Sequence, residues 1–77
     1  MNDVTELIAG IYRETLNDDA LHTESDFFEA GGDSLAAFQI TARIQEALGV
    51  EVPVALVFAY PSPVDLASVV ELDTAGV

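Results

Sequence analysis

Between residues 34 and 48 the apolar side chains Ala37, Ile40, Ile44 and Leu48 recur at spacings of three and four, and Gly49 follows at once. That rhythm predicts a helix with one buried stripe, closed by a residue that commonly stands just beyond a helix end. The same rhythm opens the chain, where Val4, Leu7, Ile8 and Ile11 share one face of a segment from Asp3 to Leu16, with Asn2, Glu6, Arg13 and Glu14 mostly off it. Asp3 stands three residues before Glu6, a capping-box-like spacing in which each side chain can satisfy an unpaired backbone N–H. Gly10 inside this helix costs about 1 kcal/mol relative to alanine, so the helix relies on its packed face.

Ser62-Pro63-Val64-Asp65 announces a further helix, with an N-cap serine, proline at the first helical position and a carboxylate at the third. It is expected to run to about Leu72 and to bury Leu66, Val69 and Val70. The apolar run from Val54 to Tyr60, between Pro53 and Pro61, reads as a short strand or a buried helical turn. A short helix is preferred, because no partner strand is evident elsewhere. The expected fold is therefore all-α: a small bundle of three longer helices and one short one. A long connection, residues 17–33, separates the first two. A loop of that length is usually functional or locally structured, and Phe27 and Phe28 are its only large apolar pair, so at least one ring should plug into the core.

Seventy-seven residues make one domain, 1–77, with little room for a deep enzyme pocket. Without cysteine there is neither a disulfide framework nor a thiolate metal site, and packing alone must stabilise the fold. Fourteen acidic residues face two basic ones, Arg13 and Arg43, for a net charge of −12. Such a surface repels nucleic acid phosphates and anionic lipid head groups. A hydrophobic content of 51% nevertheless separates the chain from disordered acidic tails. The first residues carry acids where a signal peptide carries Lys or Arg. The longest apolar stretch, Val52 to Tyr60, falls well short of the ~20 residues of a spanning helix. A soluble, cytoplasmic, monomeric protein is expected.

The most unusual local feature is Gly31-Gly32-Asp33-Ser34-Leu35. Two glycines open backbone geometries closed to other residues and let another macromolecule approach, while Ser34 falls where helix N–H groups are unpaired. A phosphate esterified to its hydroxyl would lie near the positive end of the helix dipole. The plainer alternative is that Asp33 or Ser34 is an N-cap and the glycines a turn. At about 100° per residue, Leu35, Phe38 and Ala42 point away from Ala37 and form a second apolar stripe that the same core does not easily cover.

Gly32-Asp33-Ser34-Leu35 also spells a signature of certain serine esterases. A nucleophilic serine needs a base, an orienting carboxylate and oxyanion donors. His22 is the only histidine, it lies in the loop, and no Asp-x-x-His follows near the C-terminus, so no catalytic residues are assigned. The acids of residues 17–19 and 26–33 lack the ligand spacing and central glycine of an EF-hand, and no metal ligands are assigned either.

Asp26-Phe27-Phe28-Glu29-Ala30-Gly31-Gly32-Asp33-Ser34-Leu35, then Leu48-Gly49-Val50 and Val57-Phe58-Ala59-Tyr60-Pro61-Ser62, resembles the acyl and peptidyl carrier proteins of nonribosomal peptide and polyketide synthesis. The likeness extends from about Val4 to Val70. The double Phe and double Gly resemble peptidyl carrier (thiolation) domains more than fatty acid carriers, which usually have a single Gly before Asp-Ser-Leu. The acidity and short chain resemble discrete carriers, and Met1 without a linker-like extension points the same way.

The resemblance implies a four-helix bundle of the acyl carrier type with no catalysis of its own. It implies that a phosphopantetheinyl transferase moves 4′-phosphopantetheine from coenzyme A onto Ser34. The arm's thiol, the only one on the molecule, would then hold an amino acid or acyl group as a thioester. An adenylating or acyltransferase enzyme would load it, and a condensing or transferring enzyme would take it onward. Gly31, Gly32, Asp33 and Leu35 complete the motif; Asp33 caps the helix or pairs with a basic partner residue. Leu35 and Phe38 resemble the docking surface of the family, although Leu35 could instead pack beneath the loop and Phe38 belong to the core. The acidic charge could steer basic partners or simply confer solubility. The alternative in another class is a carrier-like interaction module that is never modified.

Overall fold

The structure, a computed structural model, describes the backbone of residues 4–75 and the side chains of residues 4–70. The two stripes of threes and fours become α1 (Val4–Leu16) and α2 (Ser34–Leu48), the proline-flanked run becomes α3 (Val54–Ala59), and the Ser-Pro signal opens α4 (Pro63–Ala75). Among the described residues there is no strand, so the expected all-α bundle is the fold observed. The capping role expected of Asp3 lies outside the described residues; Glu6 pairs with Arg13 at 3.3 Å.

Gly49 takes φ +71 and its N–H returns to the Gln45 carbonyl, ending α2 as expected. Ser62 accepts the Asp65 N–H at 3.3 Å and caps α4, with Pro63 at its first position. α4 continues three residues beyond the expected Leu72. Leu66 and Val70 are buried in it, while Val69 is only partly covered, a correction to the expected stripe.

α1 packs on α4 and on α2, and α3 packs on α2. Ile8, Tyr12, Ile40, Ile44, Val57 and Leu66 meet in the middle with no exposed surface. Burying such a side chain contributes roughly 1.5–3 kcal/mol each, and this is the main stabilising term available to a chain without cross-links. Arg43 reaches Glu14 at 2.9 Å and ties α2 to α1. Being exposed, that pair contributes no more than about 1 kcal/mol.

The 17–33 connection is built from local turns. Asn17, at φ +55, stops α1, and the Asp18 N–H closes back on the Arg13 carbonyl; asparagine is among the few residues that adopt this geometry readily. The Asp18 and Asp26 carboxylates then accept nearby backbone N–H groups, from Ala20 and from Phe28 and Glu29. Three longer bonds pin the loop to the bundle: Arg13 Nη1 to the Leu21 carbonyl, the Phe27 N–H to the Pro61 carbonyl, and the Val64 N–H to the Thr23 carbonyl, each at 2.9 Å. Phe27 is the ring that plugs into the core; Phe28 stays half exposed.

Candidate functional site

Ser34 is the first residue of α2 and is exposed. The two alternatives for the cap resolve in favour of Asp33. Its backbone is extended, its Oδ1 accepts the Ala36 N–H at 2.9 Å and its carbonyl accepts that of Ala37 at 2.9 Å. Capping of this kind stabilises a helix by about 1 kcal/mol. It also occupies the acid, leaving the Ser34 hydroxyl free of hydrogen bonds to the described residues. No acidic residue lies in the first turn of α2. A phosphodiester on Ser34 Oγ therefore fits: the oxygen is reachable, the N–H groups of Ser34 and Leu35 are not taken by the cap, and the dipole favours an anion.

The two glycines before the serine serve different ends. Gly31 sits at φ +91 with nothing near its absent side chain, so its backbone angle is what asks for glycine. Gly32 has no positive φ, yet a Cβ there would lie 2.4–2.6 Å from three atoms of the Phe27 ring. Backbone freedom and close approach by a partner were the roles expected of the pair; the first holds at Gly31, and packing inside the molecule already accounts for Gly32.

Leu35 and Phe38 are 65% and 67% exposed, so neither belongs to the core and Leu35 does not pack beneath the loop. Ala37, beside Phe38, is fully buried, as the helical geometry requires. Phe38, Thr41, Ala42, Gln45, Val52 and Val54 line an open groove of about 650 Å³; Leu35 stands outside it. His22 is exposed, its Nδ1 accepts the Glu24 N–H, and it forms no hydrogen bond with Ser34. No cluster of metal-ligating side chains occurs among the described residues, and no helix there is long and apolar enough to cross a membrane.

Reading the sequence missed an aromatic stack. Phe28 and Phe58 lie nearly parallel with centroids 5.8 Å apart, half exposed, over the edge of Phe27. The signal was available, since adjacent residues of a short helix cannot both face the core and Val57 is the buried one. Below them Tyr12 meets Phe27 edge to face at 6.1 Å, and its hydroxyl donates to the Pro61 carbonyl at 2.9 Å. Burial, and secondly the charge of Asp26, raises this phenol far above its ordinary 10.0 and keeps it a neutral donor.

Residues 2–70 match the family described as "Phosphopantetheine attachment site". The chain is 39% identical over 75 residues, 97% of its length, to the phosphinothricin tripeptide synthetase PhsC of Streptomyces viridochromogenes, of which it covers 7%. It spans 1–7% of the length of the curated relatives it matches. Its structure is similar to that of BlmI, a type-II acyl carrier protein from Streptomyces verticillus involved in bleomycin biosynthesis: TM-score 0.88, 27% identity, 92% of this chain and 86% of that one. It is also similar to a peptidyl carrier protein solved in complex with the phosphopantetheine transferase Sfp and coenzyme A: TM-score 0.86, 29% identity, 94% of each chain. A reachable serine at the start of a well-capped helix, on this fold and with these relatives, leaves one conclusion: the chain belongs to the phosphopantetheine-attachment family and is a carrier protein of nonribosomal peptide or polyketide synthesis, the kind that bears 4′-phosphopantetheine.

Proposed function

We propose that Ser34 is the attachment residue and that residues 1–77 act as one carrier unit without catalysis of their own. The observation that carries this is the exposed, unbonded Ser34 hydroxyl at the first position of α2, behind a cap made by its neighbour Asp33. In the modification, Ser34 Oγ supplies the ester oxygen and gives its proton to the transferase, while the adenosine bisphosphate part of coenzyme A departs. When bound, the group supplies a thiol that carries an amino acid or acyl unit as a thioester, on a chain with no thiol of its own. Everything else the chain contributes is presentation. Asp33 holds the helix start, and Leu35 and Phe38 offer an apolar contact beside the serine.

The partners follow from that role: a phosphopantetheinyl transferase, an adenylating or acyltransferase loading enzyme, and a condensing or transferring enzyme downstream. The similar carrier solved with Sfp and coenzyme A supports the first. Because both arginines are engaged in ion pairs and the net charge is −12, the surface favours basic partner patches met quickly and released quickly.

Intact mass after incubation with coenzyme A, magnesium and a broad-specificity phosphopantetheinyl transferase tests the reading. One phosphopantetheine addition is expected, absent from Ser34→Ala. A folded protein that several transferases leave unmodified would instead be an interaction module working through Leu35 and Phe38 alone.

A further inference from the structure

Gly32 is two residues from Ser34, and the atoms nearest to where its side chain would begin belong to a ring wholly inside the protein. Phe27 has no exposed surface, and the main chain of Gly32 is bonded back to it, N–H to the Phe27 carbonyl at 2.9 Å. The ring itself is braced from below. Tyr12 meets it edge to face, and the Pro61 carbonyl accepts both the Phe27 N–H and the Tyr12 hydroxyl at 2.9 Å each. Both lone pairs of that carbonyl are thereby used, so the α3–α4 corner, α1 and the loop converge on one oxygen. From this oxygen the path to the serine is short and stiff: Phe27, then Gly32 lying on its ring, then Asp33 capping α2.

We infer that Phe27, braced by Tyr12 and the Pro61 carbonyl, is a positioning residue for Ser34, and that Gly32 is a glycine because the serine segment must lie flat on the Phe27 ring. The inference rests on Ser34 being the attachment residue. It assigns Gly32 an internal function, in place of a gap left for the approaching enzyme. The two roles part under a compensating substitution. A Cβ at residue 32 must push the ring or lift the segment that carries Ser34. Shortening the ring restores the space from inside, since Phe27 is fully buried, and Phe27→Leu alone is the reference for whatever the half-exposed Phe28 and Phe58 rings do when their buried neighbour shrinks.

The test uses the full chain with coenzyme A, magnesium and one transferase, comparing wild type, Gly32→Ala, Phe27→Leu and the double variant, each checked for folding by circular dichroism. Displacing a reacting group by about 1 Å can cost a hundredfold. Gly32→Ala is accordingly expected to lower kcat for Ser34 modification at least about tenfold, with a smaller change in KM, and the double variant to recover to within about threefold of Phe27→Leu. In the unmodified proteins, the amide resonances of Ser34 and Leu35 should shift in Gly32→Ala and return towards those of Phe27→Leu in the double variant.

A folded double variant that stays as poor as Gly32→Ala would overturn the inference, since the methyl would then be obstructing the enzyme. So would Gly32→Ala modified at the wild-type rate with unmoved amides. Should residue 32 variants fail to fold, Tyr12→Phe, which keeps the ring and removes one bond to Pro61, decides the matter. A several-fold fall in kcat with KM held supports the brace, and an unchanged kcat removes it. Failure of wild type itself to be modified counts against the attachment reading and leaves the amide comparison to judge the contact.

Discussion

α2 has two apolar faces, and they differ in everything except hydropathy. On one, Ala37, Ile40 and Ile44 have no exposed surface; on the other, Leu35 and Phe38 are about two-thirds exposed. Ala37 and Phe38 are neighbours in the sequence and both apolar, so composition does not distinguish them; the 100° turn per residue does. The inner face has partners within the molecule. Among the described residues the outer face is left largely uncovered, and it flanks Ser34 and the groove along Val52 and Val54. An apolar side chain that the fold does not use is a better guide to function than one that it does.

The largest effect should come from truncating the inner face. Ile40→Ala removes a side chain with no exposed area and is expected to cost about 2–5 kcal/mol, a large share of the stability of a small domain; the midpoint of urea denaturation measures it. Phe38→Ala on the outer face should leave that midpoint within about 0.5 kcal/mol of wild type. It should reduce transfer to or from a loading enzyme about tenfold, as loss of an interface anchor worth more than 1 kcal/mol does. Equal denaturation losses for the two variants would erase the distinction between the faces.

Tyr12 probes the buried side. Its phenol is raised by burial, so the folded chain keeps a proton that the unfolded chain releases near pH 10.0. The associated stability is complete below that pH and falls as pH climbs above it. Tyr12→Phe should lose about 1 kcal/mol at neutral pH and show a weaker alkaline decline. An identical alkaline slope in the variant would place the titration elsewhere. The outer side is probed by salt. Raising ionic strength from about 0.1 M to 1 M shortens the screening distance from about 10 Å to 3 Å and should slow partner association, as measured by stopped flow. A rate indifferent to salt would reduce the acidic surface to a solubility device.

Much of the helical frame was legible because periodicity and punctuation are local. Gly49, Pro63 and the threes and fours of 34–48 bound their helices within a residue or so. The groups that fix the serine were harder to read, for two different reasons. The Tyr12–Pro61 bond spans 49 residues and leaves no periodic trace. The Phe27–Gly32 contact is close in sequence but crosses a turn whose path depends on Gly31 at φ +91. Leu35 illustrates a third limit. Periodicity pointed it away from the core, yet only the observed course of the loop shows that nothing covers it.

The engaged arginines have a colloidal consequence. With Arg13 held by Glu6 and Arg43 by Glu14, the described surface offers no free cation to another copy's carboxylates. Two molecules whose Phe38 rings would otherwise stick must first bring like charges together. A concentrated solution is therefore expected to stay dispersed despite the exposed hydrocarbon. At the isoelectric point, about pH 4.1, the net charge vanishes and with it the repulsion that keeps the rings apart.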